Sequence, residues 1–368
     1  MSQIAFIVDS RLNQNRLFDI KQARDNSLER FVRLKQLLEY NGISCNTLDM
    51  STVHPIDILV CTDISGSLKA VIKSVKQNPS AKLLYIPTEP PIISALHDEA
   101  ILSEMPFDRV LFWDDEFVAG CRHGVKCNIG QPVIEHSEIP IIPFQNKRFM
   151  VAVFSNKFVK HVNSLYPERL QAVDFFSSKA EGMDLYGMGW GTSTRPSIQK
   201  SYQGKCETKK DVLKHYKFSI CFENARGYKG LITEKIFDCF AAGNVPVYLG
   251  PPNIEDYIPK SCFVDFRDFN GYQSLYKYLT AMTSAQYQAY LDAAREYLQS
   301  LEYGEFTSDR YAEIILEQVQ SLLKAPPPRR TVFGFRCSLF KLLVGHPLFF
   351  IRNFKGCRRF LFDLVSEW

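Results

Sequence analysis

The chain has 368 residues, of which 46% are hydrophobic and 23% charged, which fits a folded protein and excludes a disordered or low-complexity chain. Its length exceeds the roughly 250–300 residues that one hydrophobic core supports, so we expect two domains. The net charge of +4 is small but unevenly distributed, because residues 329–368 hold eight Lys and Arg against two acidic residues. The rest of the chain is close to neutral and has no nucleic-acid-binding motif, which argues against nucleic acid as a partner.

Short apolar runs alternate with helical patterns over residues 1–140. The runs IAFIVD, IDILVCTD, KLLYIPTEP and RVLFWDD predict buried parallel strands, and SLERFVRLKQLLEYNG has the apolar spacing of a helix that ends at a glycine. Strands that alternate with helices form a parallel sheet with helices on both faces. We therefore predict an α/β domain over residues 1–140.

A segment rich in proline and isoleucine, EIPIIPFQNKRF, follows this domain, and we assign the linker to residues 141–149. A second alternation then begins, with predicted strands at MVAVFSN, DLYGMGWG, KFSICFEN, VPVYLG and CFVDF. Helices are predicted near 166–178, over TEKIFDCFAAG and onward to 324. The second α/β domain thus covers residues 150–324, and APPPRR ends the globular part ahead of a basic tail, residues 325–368.

One turn of the second domain, FENARGYKGLITEK, is unusually polar for a segment between buried strands. Thr233 is predicted to cap the helix that follows, and Gly243 to end it. Glu234 and Lys235 then lie in the first helical turn, at the carboxyl edge of a parallel sheet, where α/β proteins bind ligands. A helix start and a lysine attract phosphate, and a carboxylate accepts hydroxyl hydrogen bonds, so the turn suits a sugar nucleotide. An ordinary solvated helix start fits these residues equally well.

The stretch FSICFEN…ITEKIFDCFAAGNVPVYLGPPNI…YIPKSCFVDFRDF resembles the signature of the α-1,3/4-fucosyltransferases of glycosyltransferase family 10. Weaker similarity extends through TEPP, VFSNK and DLYGMGWG. The resemblance implies a GT-B fold, in which two Rossmann-like α/β domains with parallel sheets face each other. It also implies an inverting transfer of L-fucose from GDP-fucose to a hydroxyl of an acceptor glycan, GlcNAc or glucose, in α-1,3 or α-1,4 linkage, with no cofactor beyond the donor.

The resemblance further implies roles for single residues of the donor side. Glu234 and Lys235 match the pair that holds donor hydroxyls and the diphosphate, and Glu223 and Asn224 match a Phe-Glu-Asn motif beside the sugar. A second phosphate-binding group is expected at Arg169, with Lys157 or Lys160 as substitutes. The remaining donor contacts implied by the resemblance are Ser155, Asn156 and Tyr228.

In this interpretation one position bears on donor specificity and another supplies the catalytic base. The family places a tyrosine where this chain has Leu231, with Tyr228 nearby, so a different nucleotide sugar remains an alternative donor. The family also has a catalytic carboxylate in the N-terminal domain, and Glu89 in YIPTEPP matches it. A base must take the acceptor proton as the anomeric centre becomes cationic, and Pro90 and Pro91 stiffen its loop. The alternative is that Glu89 is a solvent-facing residue at a strand end with no catalytic role.

Metal binding is not expected. The acidic run FWDDEF follows a strand, where acidic loop residues are common, and the seven histidines and ten cysteines show no ligand spacing. Several cysteines lie in apolar runs, which indicates reduced core residues of a cytoplasmic protein. The first predicted strand, IAFIVDS, begins at residue 4, and we see no pattern of a signal peptide or anchor at the start of the chain.

The tail predicts a membrane contact. In its last segment an apolar stripe faces a mostly cationic one, the pattern of a helix lying in a membrane interface; the two stripes are Phe350, Phe354, Cys357, Leu361, Leu364 and Arg352, Lys355, Arg359, Asp363. We therefore expect residues 331–368 to bind an anionic membrane at its inner face, close to a lipid-linked acceptor in lipopolysaccharide or protein glycosylation. The alternative is that these aromatic residues pack on the protein body or on a second subunit. A catalytically silent protein that binds glycan or membrane is a further one.

Overall fold

The computed structural model describes residues 2–51, 55–62, 68–328 and 331–366, and it divides the chain into two compact units. The N-terminal unit contains Met1–Pro132 and Thr307–Trp368, and the C-terminal unit contains Val133–Phe306. In chain order the strands are β1 Ser2–Ile7, β2 Ile43–Thr47, β3 Ile58–Cys61, β4 Lys82–Tyr85, β5 Arg109–Phe112, β6 Gly124–Lys126, β7 Arg148–Val153, β8 Asp184–Tyr186, β9 Tyr202–Gly204, β10 Tyr216–Phe222, β11 Val245–Leu249 and β12 Val264–Asp265.

Helices cover both sheets, as the alternating pattern predicts. In chain order they are α1 Glu29–Tyr40, α2 Leu68–Gln77, α3 Glu99–Glu104, α4 Asp115–Gly120, α5 Tyr166–Ser177, α6 Pro196–Ser201, α7 Lys209–Leu213, α8 Glu234–Ala241, α9 Tyr272–Ala281, α10 Ser284–Tyr297, α11 Leu301–Gly304, α12 Ser308–Lys324, α13 Val332–Gly345, α14 Pro347–Arg352 and α15 Phe354–Ser366.

Each unit holds one parallel six-stranded sheet. The order is β2-β1-β3-β4-β5-β6 in the N-terminal unit and β12-β11-β10-β7-β8-β9 in the C-terminal unit. In the second sheet the chain runs outward from β7 to β9, then returns to β10 beside β7 and runs outward to β12. The strand order therefore reverses between β7 and β10, and ligands of open α/β sheets bind outside the carboxyl ends of the strands at such a reversal.

Alternate residues of β7 and β10 fill the two faces of the second sheet. Met150, Phe218 and Ile220 belong to one buried cluster, while Val151 and Cys221 belong to the other. This period of two is what a strand covered on both faces requires, and it explains why β10 is apolar without interruption. The predicted strands are all present. The edge strands β2, β6 and β9 were not predicted, because their sequences are mixed in polarity.

The predicted domain boundaries differ from the units that the structure shows. Residues 141–149 lie inside the C-terminal unit, and the chain returns to the N-terminal unit at Thr307. The reason is α12, whose buried side chains Tyr311, Ile315 and Val319 join the same core as Phe31 and Leu34 of α1. Burying a side chain of this size contributes about 1.5–3 kcal/mol, so the amphipathic α12 is held by α1 and the first sheet.

The tail is part of the N-terminal unit, so the prediction that the globular part ends at APPPRR is wrong. Helices α13 and α15 pack on α2, and the tail side chains that this buries are Phe335, Leu339, Leu342, Phe350, Cys357, Phe360 and Leu364. Three of these, Phe350, Cys357 and Leu364, come from the stripe that was expected to face lipid. The side chains of Phe354, Lys355 and Arg359 lie outside those described. None of the helices within the described residues has the length and apolarity needed to span a bilayer.

Candidate functional site

The carboxyl ends of β7 and β10, with the start of α8, bring most of the predicted donor residues of the C-terminal unit together. Phe222 ends β10, so Glu223 is the first residue beyond the strand, and its N–H donates to Leu249 O of the neighbouring β11 at 2.8 Å. Glu234 and Lys235 open α8, as predicted. Gly243 ends this helix with φ of +60°, and a Cβ there would lie 2.8 Å from Pro140 O, so only glycine fits.

Glu223 is the centre of this arrangement, and it is fully buried, with 0% of its surface exposed. Its carboxylate accepts hydrogen bonds from Thr233 N at 3.0 Å and from the Thr233 hydroxyl, and it lies 3.1 Å from Lys235 Nζ. The Tyr248 hydroxyl also donates to it, at 3.4 Å. A buried carboxylate that accepts this many hydrogen bonds is held in one orientation.

Burial changes the role expected for Glu223. It was predicted to lie beside the sugar, but the structure places it behind Lys235 and Thr233, where it orients the lysine instead. Thr233 is the N-cap of α8 by position, yet it makes no side-chain cap hydrogen bond, because its hydroxyl is directed to Glu223. The backbone beyond β11 approaches closely: a Cβ on Gly250 would lie 2.9 Å from Glu223 Cγ.

Lys235 and Glu234 form the exposed part of the network. Lys235 Nζ donates to Thr233 Oγ1 at 2.9 Å and lies 3.5 Å from Glu234 Oε1, while 43% of the Glu234 side chain is exposed. Burial opposes ionisation of Glu234, but the ammonium groups of Lys235 and Lys209 outweigh it and hold the pKa of Glu234 well below its ordinary value. Burial likewise lowers the pKa of Lys235, but the carboxylates of Glu223 and Glu234 raise it overall. Both groups are therefore charged at neutral pH.

Lys209 is a member of the network that the sequence did not reveal. From the start of α7 its ammonium reaches Asp238 Oδ2 at 2.7 Å and Glu234 Oε1 at 3.3 Å on α8. Lys209 and Lys235 thus approach the same oxygen of the Glu234 carboxylate. No spacing in TKKDVLKHYKF distinguishes this lysine from its neighbours, so only the fold identifies it.

Arg169 lies on α5, close to the end of β10, and is 3% exposed. Its Nη2 donates to Phe222 O at 2.6 Å and to Asn224 Oδ1 at 3.0 Å, and its Nε donates to Phe222 O at 3.2 Å. The guanidinium also lies 4.9 Å from the centre of the Tyr166 ring. Two of its three nitrogens are thus engaged with the end of β10 and the Phe-Glu-Asn turn, and the third, Nη1, makes no hydrogen bond to another of the described residues.

The other predicted donor residues surround this network. Ser155 and Asn156 follow β7, and Asn156 is fixed by hydrogen bonds to the loop after β8, from its N–H to Met188 O and from Nδ2 to Gly189 O. Tyr228 is half-buried in the turn before α8, whereas Leu231 is buried. Leu231 therefore replaces the expected tyrosine by a core residue.

A small cavity of about 30 Å³ lies among these groups, with Arg169, Lys209, Lys235 and Phe154 in its lining. This volume is much smaller than the roughly 300–1,000 Å³ of small-molecule pockets, so a nucleotide would lie over the network rather than inside the cavity.

Glu89 belongs to the other unit. It follows β4, one strand away from the β1/β3 pair where the order of the first sheet reverses, and its side chain is exposed. A rival carboxylate, Asp114, caps α4 and accepts hydrogen bonds from Glu116 N and Phe117 N, and burial raises its pKa. Among the described residues, no group of three or more His, Cys, Asp or Glu side chains is placed to hold a metal ion.

Comparison with known proteins shows what the region around this site is similar to. The family model of the C-terminal region of glycosyltransferase family 10 (fucosyltransferase) matches residues 144–313, which include the whole network. The α-(1,3)-fucosyltransferase FucT of Helicobacter pylori is 36% identical over 101 residues, 27% of this chain and 20% of that protein. The mouse 4-galactosyl-N-acetylglucosaminide 3-α-L-fucosyltransferase 9 is 49% identical over 65 residues, 17% and 18% of the two chains. The matches thus span about a fifth of these curated relatives.

Solved structures extend the similarity to most of the chain. An α1,3-fucosyltransferase solved with GDP-fucose aligns with a TM-score of 0.53 and 16% identity, over 90% of this chain and 92% of that one. Anabaena HepE, solved with UDP-glucose, aligns with a TM-score of 0.57 and 13% identity, over 87% and 100%. At these identities the likeness shows the fold, which is the two-domain GT-B fold that the sequence predicted.

Proposed function

We propose that this chain, which carries the C-terminal domain of glycosyltransferase family 10 on a GT-B fold, transfers L-fucose from GDP-fucose to a hydroxyl of an acceptor glycan. The transfer inverts the anomeric centre and forms an α-1,3 or α-1,4 linkage. The observation that carries the proposal is the ion-paired Lys235, oriented by the buried Glu223 at the strand-order reversal of the C-terminal unit. That position is where sugar nucleotides bind in such sheets.

Each group of the network has a role in this reaction. Lys235, with Nη1 of Arg169, holds the diphosphate and neutralises its charge as the bond between the sugar and the phosphate breaks. The ionised and exposed Glu234 accepts hydrogen bonds from hydroxyls of the donor. Asn224, Tyr228, Ser155 and Asn156 line the same edge. With lysine and arginine supplying the positive charge, we propose that no cofactor is required.

Glu89 is the proposed general base. The acceptor oxygen attacks the anomeric carbon, GDP leaves with the electrons of the broken bond, and the acceptor proton passes to the Glu89 carboxylate. An exposed carboxylate at the end of β4 is accessible to an acceptor. The rival Asp114 is engaged as a helix cap.

The donor is tested by binding. Calorimetry with GDP-fucose, GDP-mannose and UDP-glucose separates recognition of the base from recognition of the sugar. We expect GDP-fucose to bind most tightly, and tighter binding of UDP-glucose would favour the alternative in which the same fold uses another nucleotide sugar. The buried Leu231 makes this comparison informative, because the chain lacks the family's tyrosine at that position.

We further propose that the tail places the enzyme on an anionic membrane, through exposed apolar side chains that are not in the expected apolar stripe. Apolar side chains remain exposed on α13, α14 and α15, near a groove lined by Leu343, Pro347 and Leu361. These exposed apolar residues are Phe340, Val344, Leu348, Ile351 and Phe362. Exposed cationic residues lie on the same helices, namely Lys341, Arg352 and Arg358. Apolar residues flanked by cations suit the interface of an anionic bilayer. The membrane's cytoplasmic face, with a lipid-linked acceptor, is the proposed location.

A further inference from the structure

The loop that carries Glu89 is held through its backbone by two buried side chains. The indole N–H of Trp113 donates to Thr88 O at 2.9 Å, and His97 Nδ1 lies 2.6 Å from Glu89 O. Trp113 and His97 are both buried. A carbonyl oxygen can only accept a hydrogen bond, so His97 Nδ1 carries the proton and donates it to this bond.

Tyr85, the last residue of β4, fixes the other nitrogen of the same imidazole. Its hydroxyl lies 2.8 Å from His97 Nε2, and in the neutral ring Nε2 is then the acceptor and the hydroxyl the donor. The Tyr85 ring stacks on Phe107 with centroids 4.8 Å apart, and the His97 ring meets Phe112 edge-on at 6.2 Å. The tautomer and the plane of the His97 ring are therefore set by residues in or next to β4 and β5.

The segment after Glu89 is fixed as well. Ile93 N and Ser94 N both donate to Pro90 O, at 2.9 and 3.1 Å, which closes a turn directly behind the carboxylate. The backbone on both sides of Glu89 is thus tied to the protein, while its side chain is exposed. An exposed group on a fixed backbone is the arrangement that a positioned base needs.

We propose that His97 is a positioning residue for Glu89: by donating from Nδ1 to Glu89 O, in a tautomer set by Tyr85, it fixes the point from which the carboxylate reaches the acceptor hydroxyl. This inference rests on the proposed function, in which Glu89 is the base. Displacing a catalytic group by about 1 Å lowers a rate by roughly 10²-fold, so losing this hydrogen bond should slow transfer without affecting donor binding.

Two substitutions of His97 separate its hydrogen bond from its bulk. The amide of asparagine places an N–H donor near the position of Nδ1, whereas glutamine places it near Nε2. With GDP-fucose and a 4-galactosyl-N-acetylglucosaminide acceptor, we expect kcat to fall about 10- to 100-fold in His97→Gln and only about threefold in His97→Asn. The Kd of GDP-fucose should stay at the wild-type value in both. Equal losses in the two variants would assign His97 to packing and overturn the proposal.

Combination with Glu89→Gln shows whether His97 acts through Glu89. In the Glu89→Gln background, His97→Gln should slow transfer no further, and multiplied losses would overturn the proposal. Near-normal turnover of Glu89→Gln alone would remove Glu89 as the base, and the role of His97 with it. If Glu89→Gln turns over slowly while His97→Gln turns over at the wild-type rate, only the positioning role of His97 is rejected.

Tyr85→Phe is the variant to use if His97→Gln does not fold, because it deletes only one hydroxyl. Its kcat should fall about 3- to 10-fold, and unchanged turnover would reject the positioning role of His97.

Discussion

Lys235 Nζ lies 3.1 Å from the carboxylate of Glu223, and that carboxylate has no exposed surface. A buried carboxylate is stable only with its partners, so the pair is a structural unit from which the lysine presents its charge at the sheet edge. In the proposed function this arrangement gives Glu223 a positioning role, while Lys235 and Glu234 contact the donor.

Replacing Glu223 tests whether this pair is structural. Glu223→Gln keeps the shape but removes the charge that faces Lys235 and Thr233, so the free energy of unfolding should fall by about 3 kcal/mol. Denaturation in urea measures it. The matched control is Glu255→Gln, because Glu255 is a half-exposed carboxylate 3.8 Å from Lys260, a surface pair worth about 0–1 kcal/mol. Equal effects of the two substitutions would contradict a structural role for Glu223.

Lys235 should determine donor affinity. Lys235→Ala removes one charge-assisted hydrogen bond to the diphosphate, a loss of about 1.5–3 kcal/mol, or roughly ten- to a hundredfold in the Kd of GDP-fucose measured by calorimetry. Lys277→Ala, a change at an exposed lysine of α9 in the same unit, is the control and should leave the Kd unchanged. Unaltered binding by a folded Lys235→Ala would remove this lysine from the site.

The strands and the central helix of the site could be predicted because their signals are local. Continuous apolar runs identified β7, β10 and β11, and a threonine, an acidic residue and a later glycine marked the limits of α8. Burial within the polar turn could not be predicted in this way. Whether Glu223 faces a ligand or the interior depends on Tyr248 of β11 and on Gly250 just beyond that strand. The sequence does not show which residues of neighbouring strands meet.

The domain boundary and the tail required the fold for a similar reason. The apolar faces of α12 and α15 are visible as periodic patterns, but a pattern does not identify the surface that covers it. In the structure α1 covers the face of α12, and α2 packs against α15. An amphipathic helix that packs on protein has the same spacing as one that lies on a membrane, and this is why Phe350, Cys357 and Leu364, which the structure buries, were expected to face lipid.

Lys147 should make stability depend on pH. Burial, aided by the charge of Arg295, lowers its pKa from 10.5 to about 8, and its amine donates to Gly243 O at the end of α8. Between about pH 8 and 10.5 the unfolded chain keeps a proton that the folded protein has released, so this group makes the protein more stable as pH rises through that range. The stability difference between wild type and Lys147→Met, from urea denaturation, should therefore shift in favour of the wild type between pH 7.5 and 9.5. A difference independent of pH would show that Lys147 titrates normally.

The exposed apolar face of the tail should be required for binding to anionic phospholipid vesicles. The double variant Ile351→Ser/Phe362→Ser changes two side chains that are each 70% exposed, so it should keep the wild-type Tm and lose sedimentation with anionic phospholipid vesicles. Leu301→Ser, at a leucine 90% exposed in the C-terminal unit, is the control and should still sediment. Deleting residues 331–368 is a poorer test, because it would uncover the face of α2 that α13 and α15 pack against. Unchanged sedimentation of the double variant would exclude this face as the membrane contact.

The most direct test of the account is the product of the reaction. The protein is incubated with GDP-fucose and a 4-galactosyl-N-acetylglucosaminide, the acceptor class named for the mouse relative, and the products are followed by NMR for wild type and Glu89→Gln. We predict an α-linked fucosyl product from the wild type, and a kcat lower by about 10²–10⁴-fold in Glu89→Gln with the Kd of GDP-fucose unchanged. A β-linked product would contradict the proposed inverting mechanism, and wild-type turnover by Glu89→Gln would contradict the proposed role of Glu89 as its base.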